Sequence, residues 1–122
     1  MTLPTDAKAR KAIPIVTGCF DYFPDALAAV ARLSQKANDK HNPGQPLHWS
    51  KNKSADHVDC LGRHLVERNE VDPETGEIFA VHVAWRALAN LQITIERNKA
   101  NAETSNRVDQ IAVQENYDEL DC

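Results

Sequence analysis

Histidine and arginine pairs are the residues of this sequence best suited to chemistry. Five histidines occur in 122 residues, and histidine serves in catalysis, metal binding and pH response. His64 follows Arg63, and His82 lies four residues before Arg86. If the helices that carry these pairs pack antiparallel, the arginines can bind phosphate while His64 or His82 acts as a catalytic acid or base. In the alternative interpretation each histidine is a packing residue, and Arg86 forms a salt bridge to an acid of the neighbouring helix.

Carboxylates on one predicted helix form a candidate metal site. Asp56 and Asp59 are three residues apart and share a helix face, and Glu67 lies further along the same helix. Two carboxylates suit Mg²⁺, which keeps several waters and is usually completed by substrate phosphates. The alternative is a solvated polar face, since the helix dipole favours acids near a helix start. A metal site needs at least three converging carboxylates, so Asp25 and Glu67 would have to join Asp56 and Asp59.

A loop rich in proline and glycine joins the first two predicted helices and carries ligand-binding residue types. Two prolines and a glycine exclude a regular helix between residues 41 and 53. Trp49 can stack on a nucleotide base, with amide side chains at the base edge and lysines near the phosphates. Alternatively, Trp49 closes one end of a helix bundle. The residues predicted to bind nucleotide are Asn42, Gln45, His48, Trp49, Lys53, Arg63, His64 and Arg86.

Three principal helices are expected to position these residues in an all-α fold, a small helical bundle. The first covers residues 24–38 and starts at Pro24, because proline suits the first helical position. The second covers residues 54–69 with Ser54 as its cap, and the third covers residues 78–97. The wide apolar stripe of the third helix predicts that it lies at the centre of the bundle.

The two ends of the chain are predicted to lie outside the bundle. Pro14 favours an extended arm over residues 1–19, with a short strand pair at 13–16 as the only expected β structure. Residues 20–98 then form a helical nucleotide-binding domain, and residues 99–122 form an acidic, flexible tail. Within this tail, residues 111–113 are apolar enough to pack against the helical domain. An extended arm on a small helical domain favours a homo-oligomer with ligand pockets at the subunit interface.

Composition excludes several classes of protein. The net charge of -4 and the pI of about 5.7 are not those of a general duplex nucleic-acid binder. No window of 18 apolar residues and no apolar N-terminal leader occur, so we expect no membrane span and a cytoplasmic location. Three cysteines without a CxxC pair indicate reduced thiols rather than disulfides or a zinc site.

Four segments together carry a family resemblance: YFPDALAAVARLSQKAN, HNPGQPLHW, KSADHVDCLGRHLVER and HVAWRALANLQ. With these segments the chain resembles the phage-encoded N-terminal domain of dATP/dGTP diphosphohydrolase, from about residue 13 to residue 96. The resemblance implies conversion of a purine dNTP to dNMP and pyrophosphate, as in the all-helical MazG-like enzymes. Those enzymes hold Mg²⁺ on ExxE and ExxD motifs of two helices. Here the first helix offers only Asp25 and the third has no acid before Glu96.

Two functions follow from these features. The first is a Mg²⁺-dependent nucleotide pyrophosphohydrolase, with Asp56, Asp59 and Glu67 on the metal and His64 or His82 in proton transfer. Lys53 and the two arginines would bind the phosphates. The second is a non-catalytic nucleotide sponge that sequesters a host immune signalling nucleotide as an anti-defence protein. A sponge needs arginine, histidine, tryptophan and asparagine contacts but no acidic cluster.

Overall fold

The described part of the chain is built from helices. The computed structural model describes residues 3–53 and 56–108, and they contain α1 (Ala7–Lys11), a π-helix (Val16–Phe20), α2 (Pro24–His41), α3 (His57–Val66) and α4 (Phe79–Val108). Over these residues β structure is limited to one isolated antiparallel bridge between Val71 and Ile78. The all-α prediction is therefore confirmed.

The N-terminal segment differs from the extended arm predicted for residues 1–19. Asp6 caps α1 by accepting a hydrogen bond from the Ala9 N–H at 2.9 Å. Pro14 does not start a strand, because its carbonyl accepts from the Gly18 N–H at 2.7 Å in a helical turn. The five-residue bonds of the π-helix follow, from the Phe20 N–H to the Ile15 carbonyl at 3.2 Å and from the Asp21 N–H to the Val16 carbonyl at 2.8 Å. Proline restricts the residue before it, but its own φ is compatible with a helical start. The expected strand pair at residues 13–16 is thus wrong.

The helix α2 begins at Pro24, as predicted, and continues three residues beyond the expected end to His41. Lys40 and His41 occupy its last turn, where positive charge is favoured by the helix dipole. The backbone N–H of Asn42 still bonds the Asn38 carbonyl at 2.7 Å. The helix stops there because Pro43 disfavours helical backbone in the residue before it.

The other two long helices also differ from prediction at their ends. α3 starts at His57 with Asp56 in the cap position, and the predicted cap Ser54 lies outside the described residues. α4 extends eleven residues past the predicted end at residue 97, so the segment predicted as a tail begins as helix. Within this extension the Thr104 hydroxyl donates to the Ala100 carbonyl at 2.9 Å. Residues 109–122, with the acidic end and the apolar 111–113, lie outside the described residues.

The turn between α3 and α4 fastens α2 to the start of α4. Arg32 and Lys36 of α2 bind the carboxylate of Glu77 at 3.0 and 3.2 Å. Lys36 also donates to the Thr75 carbonyl at 2.6 Å, and Lys40 pairs with Glu74. α4 packs against both α2 and α3. This arrangement leaves one surface of α4 facing α2 and another facing α3.

The hydrophobic core is small. Among the described residues only Leu33 and Ala89 are buried hydrophobics, at 5% and 4% exposure.

No single described helix is long and apolar enough to cross a membrane, although Ala7–Phe20 and Pro24–His41 together reach that length and composition across an 85° bend.

Candidate functional site

A cleft of about 830 Å³ lies between α2, α4 and the loop that joins α2 to α3. Its volume is within the range of small-molecule sites. Four of the residues predicted to bind nucleotide line it, all from the loop: Asn42, His48, Trp49 and Lys53. The exposed faces of Leu88, Leu91 and Ile95 make the α4 side of the cleft apolar.

Asn38 fixes the path of the loop over the cleft. Its side chain is 4% exposed; Nδ2 donates to the Gln45 carbonyl at 3.0 Å and Oδ1 accepts from the His48 N–H at 3.3 Å. Gln45, which was predicted to bind a base edge, contributes its backbone to this contact and does not line the cleft. The sequence analysis missed Asn38, although a polar side chain beside the apolar stripe of α2 was a visible signal.

Both tryptophans of the chain line this cleft. The rings of Trp49 and Trp85 meet edge to face, with centroids 5.6 Å apart. The indole N–H of Trp85 donates to the Ser34 hydroxyl at 2.8 Å, which fixes Trp85 against α2. Lys51 lies over the Trp49 ring at 5.1 Å from its centroid. Trp85 belongs to the apolar stripe of the third predicted helix and was not predicted as a site residue. The sequence signal for this site came from the loop, through Trp49 and its polar neighbours.

The charge lining the cleft is positive. Lys53 supplies this charge, and none of the described lining residues is aspartate or glutamate. The imidazoles of His41 and His48 also line the cleft. Glu96, one residue beyond the lining residue Ile95, has its carboxylate oxygens 2.8 Å from the Lys51 ammonium. The hydrogen bond from Lys51 holds the pKa of Glu96 below its ordinary value. The cleft therefore suits an anionic ligand with an aromatic or apolar part.

The predicted catalytic histidines meet on the other side of α4, against α3. The rings of His64 and His82 have centroids 4.9 Å apart, and His64 stacks on Phe79 at 5.2 Å. His82 Nε2 donates to the Asp72 carboxylate at 3.1 Å. The Cys60 thiol lies 3.4 Å from His64 Nε2. The antiparallel packing expected from the sequence thus brings both histidines together, although no residue of α3 lines the cleft.

Electrostatics within this cluster favour neutral His64 and charged Asp72. Burial lowers the pKa of His64, and the nearby His82, Arg86 and Arg63 lower it further. Burial alone would raise the pKa of Asp72, but hydrogen bonds from the Glu74 N–H and the Thr75 hydroxyl, with His82 adjacent, hold it below its ordinary value. A carboxylate that orients an imidazole is the arrangement used by general bases. The sequence analysis did not single out Asp72.

The two predicted phosphate-binding arginines have intramolecular partners. Arg86 Nη1 donates to Nδ1 of His57 at 3.1 Å, and His57 is 9% exposed. The same guanidinium lies 5.9 Å from the centroid of the Trp85 ring. Arg63 is exposed and binds Asp56 at 2.6 Å. Neither arginine lines the cleft.

The predicted metal ligands are not brought together. Asp56 and Glu67 cap opposite ends of α3, and a helix of that span separates them by about 16 Å. Ligands of one Mg²⁺ lie about 2 Å from the ion. Asp25 is exposed in the first turn of α2. Among the described residues no three His, Cys, Asp or Glu side chains are placed to hold a metal ion, so the carboxylates present do not fit the predicted Mg²⁺ site.

Comparison with known proteins gives one match. A family model described as dATP/dGTP diphosphohydrolase, N-terminal, matches residues 5–103. No curated protein and no solved structure matches the chain.

Proposed function

Because that match covers most of its length, the chain belongs to the dATP/dGTP diphosphohydrolase N-terminal family, and we propose that it binds a purine deoxynucleoside triphosphate in the cleft between α2 and α4. One observation carries this proposal. The cleft combines both tryptophans with Lys53 and an acid-free described lining. Aromatic faces take up bases, and basic side chains take up phosphates.

The base is assigned to the tryptophan end of the cleft. Trp49 contacts Trp85 through an edge, an arrangement that leaves ring surface for stacking. Asn42 and Gln92 line the cleft and have amide groups suited to the base edge. The exposed apolar side chains of α4 offer surface that a bound base would bury.

The phosphates are assigned to the loop side of the cleft, at Lys53 and His48. Arg63 and Arg86, which the sequence placed on the phosphates, are instead bound to Asp56 and His57. For the family reaction, conversion of dNTP to dNMP and pyrophosphate, the sequence predicted His64 and His82 as proton-transfer residues. Both lie on the α3 side of α4 and neither lines the cleft, so they do not reach a phosphate bound there. Mg²⁺ remains a proposal without a fitting set of carboxylates.

A second function, retention of intact nucleotide, is favoured by the absence of carboxylates from the described lining of the cleft. A protein that only sequesters a nucleotide needs base and phosphate contacts but no group to activate water. A host signalling nucleotide would offer the same base and phosphate chemistry as a dNTP. The proposed sponge activity therefore uses the same residues of the cleft.

One experiment separates the two functions. The chain is incubated with a mixed pool of dNTPs and cyclic nucleotides, with and without Mg²⁺, and analysed by mass spectrometry before and after heat denaturation. Appearance of dNMP and pyrophosphate identifies a hydrolase, whereas depletion of a nucleotide that returns intact on denaturation identifies a sponge. If no nucleotide is depleted or converted, the nucleotide-binding proposal is wrong.

Variants assign the result to the cleft. Trp49→Ala and Lys53→Met are expected to reduce depletion or conversion. Lys8→Met is the matched control, since Lys8 lies on α1 and does not line the cleft. His82→Gln, on the α3 side of α4, is expected to leave nucleotide binding in the cleft unchanged.

The partner proposed in addition to the nucleotide is a second copy of the chain. Between residues 13 and 23, six large apolar side chains are exposed: Ile13, Ile15, Val16, Phe20, Tyr22 and Phe23. We call this set the N-terminal apolar surface. Such a surface on a small domain is typical of an interaction site.

A further inference from the structure

We infer that the cleft binds its nucleotide without a divalent cation, with the Lys53 ammonium and the imidazole groups of His41 and His48 as its contacts to the phosphates. The inference rests on the proposed function, since it concerns the same cleft. It disagrees with the Mg²⁺ expectation that the sequence raised.

The oxygen donors of the described lining do not suit Mg²⁺. This ion is held in proteins by at least one carboxylate together with waters and substrate phosphates. The described lining contains no carboxylate. Of its other side-chain oxygens, the Asn38 amide holds the loop, and the Ser34 hydroxyl accepts from Trp85 and donates to the Val30 carbonyl. The oxygens that remain, on Asn42, Ser50 and Gln92, are uncharged.

The nearest acid along α4 is already neutralised. Both carboxylate oxygens of Glu96 accept from Lys51 at 2.8 Å, and one of them also accepts from Gln92 at 3.1 Å. A metal ion at this carboxylate would have to displace an ammonium that also contacts the Trp49 ring. Glu96 therefore balances Lys51 and leaves Lys53 as the lysine available to the ligand.

The acids of α3 lie outside the cleft. Asp56 binds Arg63 at 2.6 Å, and no α3 residue lines the cleft. A metal ion carried in by the nucleotide would thus meet the positive side chain of Lys53 and no carboxylate of the described lining. Like charges repel, so a free triphosphate is expected to bind at least as tightly as its Mg²⁺ complex.

The test uses the two tryptophans as an internal probe, since both line the cleft. The full chain is titrated with dATP and with dGTP in EDTA and again in excess Mg²⁺, by tryptophan fluorescence and by calorimetry. The expected result is a Kd in EDTA equal to or below that in Mg²⁺. A Kd more than tenfold weaker in EDTA would overturn the inference but leave the proposed function standing. Absence of binding under both conditions would overturn the proposed function as well.

Variants then test which side chain binds the phosphates in the absence of a metal ion. Lys53→Met is expected to weaken binding about tenfold or more in EDTA, the usual effect of losing a charged contact to phosphate. Lys8→Met, which removes the same charge from α1, is expected to leave the Kd within twofold. Equal Kd values for Lys53→Met and the parent chain in EDTA would contradict the assignment of Lys53.

Discussion

At the scale of single residues, Asn38 decides whether the loop can form a binding site. Replacing it with alanine removes two hydrogen bonds to the loop backbone and leaves their partners without side-chain contacts. The expected loss of unfolding free energy is about 1–3 kcal/mol. Because the loop also carries Trp49 and Lys53, nucleotide affinity should fall in parallel. Thermal unfolding and tryptophan fluorescence measure the two effects.

The matched control for Asn38 is Gln35→Ala on the same helix. Gln35 donates to Asp39 at 2.8 Å, but both side chains are exposed, so the loss should be at most about 0.5 kcal/mol. If Asn38→Ala were no less stable than Gln35→Ala, the proposed role of Asn38 in holding the loop would be wrong.

The sequence predicted residue types better than it predicted their partners. The loop combined tryptophan, histidine, lysine and amide residues, and four of its predicted ligand residues do line one cleft. Trp85 was not recognised as their partner, because a tryptophan on an apolar helix stripe is usually a core residue. Which side of α4 each residue faces depends on where α2 and α3 pack, and periodicity alone does not determine this.

At the scale of elements, the turn of residues 72–77 holds α2 against α4 through Glu77. The hydrogen bond from Arg32, followed by that from Lys36, holds the pKa of Glu77 below its ordinary value of 4.5. A carboxyl group whose pKa is lower in the folded than in the unfolded state stabilises the fold at any pH above its unfolded pKa. This stability is lost as the pH falls through the folded pKa. Glu77→Gln should therefore lower Tm by roughly 5 °C at pH 7, and the difference should vanish in acid.

Glu74→Gln is the control for this turn. Glu74 pairs with Lys40, but its side chain is 64% exposed against 11% for Glu77, and exposed pairs contribute little. The Tm values of the parent chain, Glu77→Gln and Glu74→Gln are compared by thermal unfolding from pH 7 to pH 3. His64, whose lowered pKa also makes acid destabilising, is present in all of them and cancels in the comparison. A constant gap between Glu77→Gln and the parent chain at every pH would contradict the ionic role of Glu77.

The ends of the helices were only partly predictable from the sequence. The start of α2 at Pro24 was predictable because proline fixes a first helical turn. The continuation of α4 to residue 108 was missed, since the segment after residue 98 has no apolar periodicity. Its lysine, alanine and glutamate residues nevertheless have high helix propensity, and a helix already nucleated can propagate through them.

At the scale of the whole molecule, the small core and the large exposed apolar area suggest that a single copy is incomplete. Phe20, Tyr22 and Phe23 are 51%, 70% and 54% exposed. From the usual area of aromatic side chains, they alone offer roughly 350 Å² for burial. A standard interface buries about 800 Å² on each partner, and the aliphatic residues of the N-terminal apolar surface supply part of the remainder.

We therefore expect the chain to be a homo-oligomer joined through the N-terminal apolar surface. Light scattering coupled to size exclusion should give a mass at least twice the 13.6 kDa of one chain. The double substitution Phe20→Ser and Phe23→Ser should yield a monomer, because it removes apolar area without touching the cleft. Val66→Ser, at an 80% exposed position on α3, should leave the mass unchanged. A parent chain of 13.6 kDa would refute the oligomer, and dissociation by Val66→Ser alone would place its interface on α3 instead.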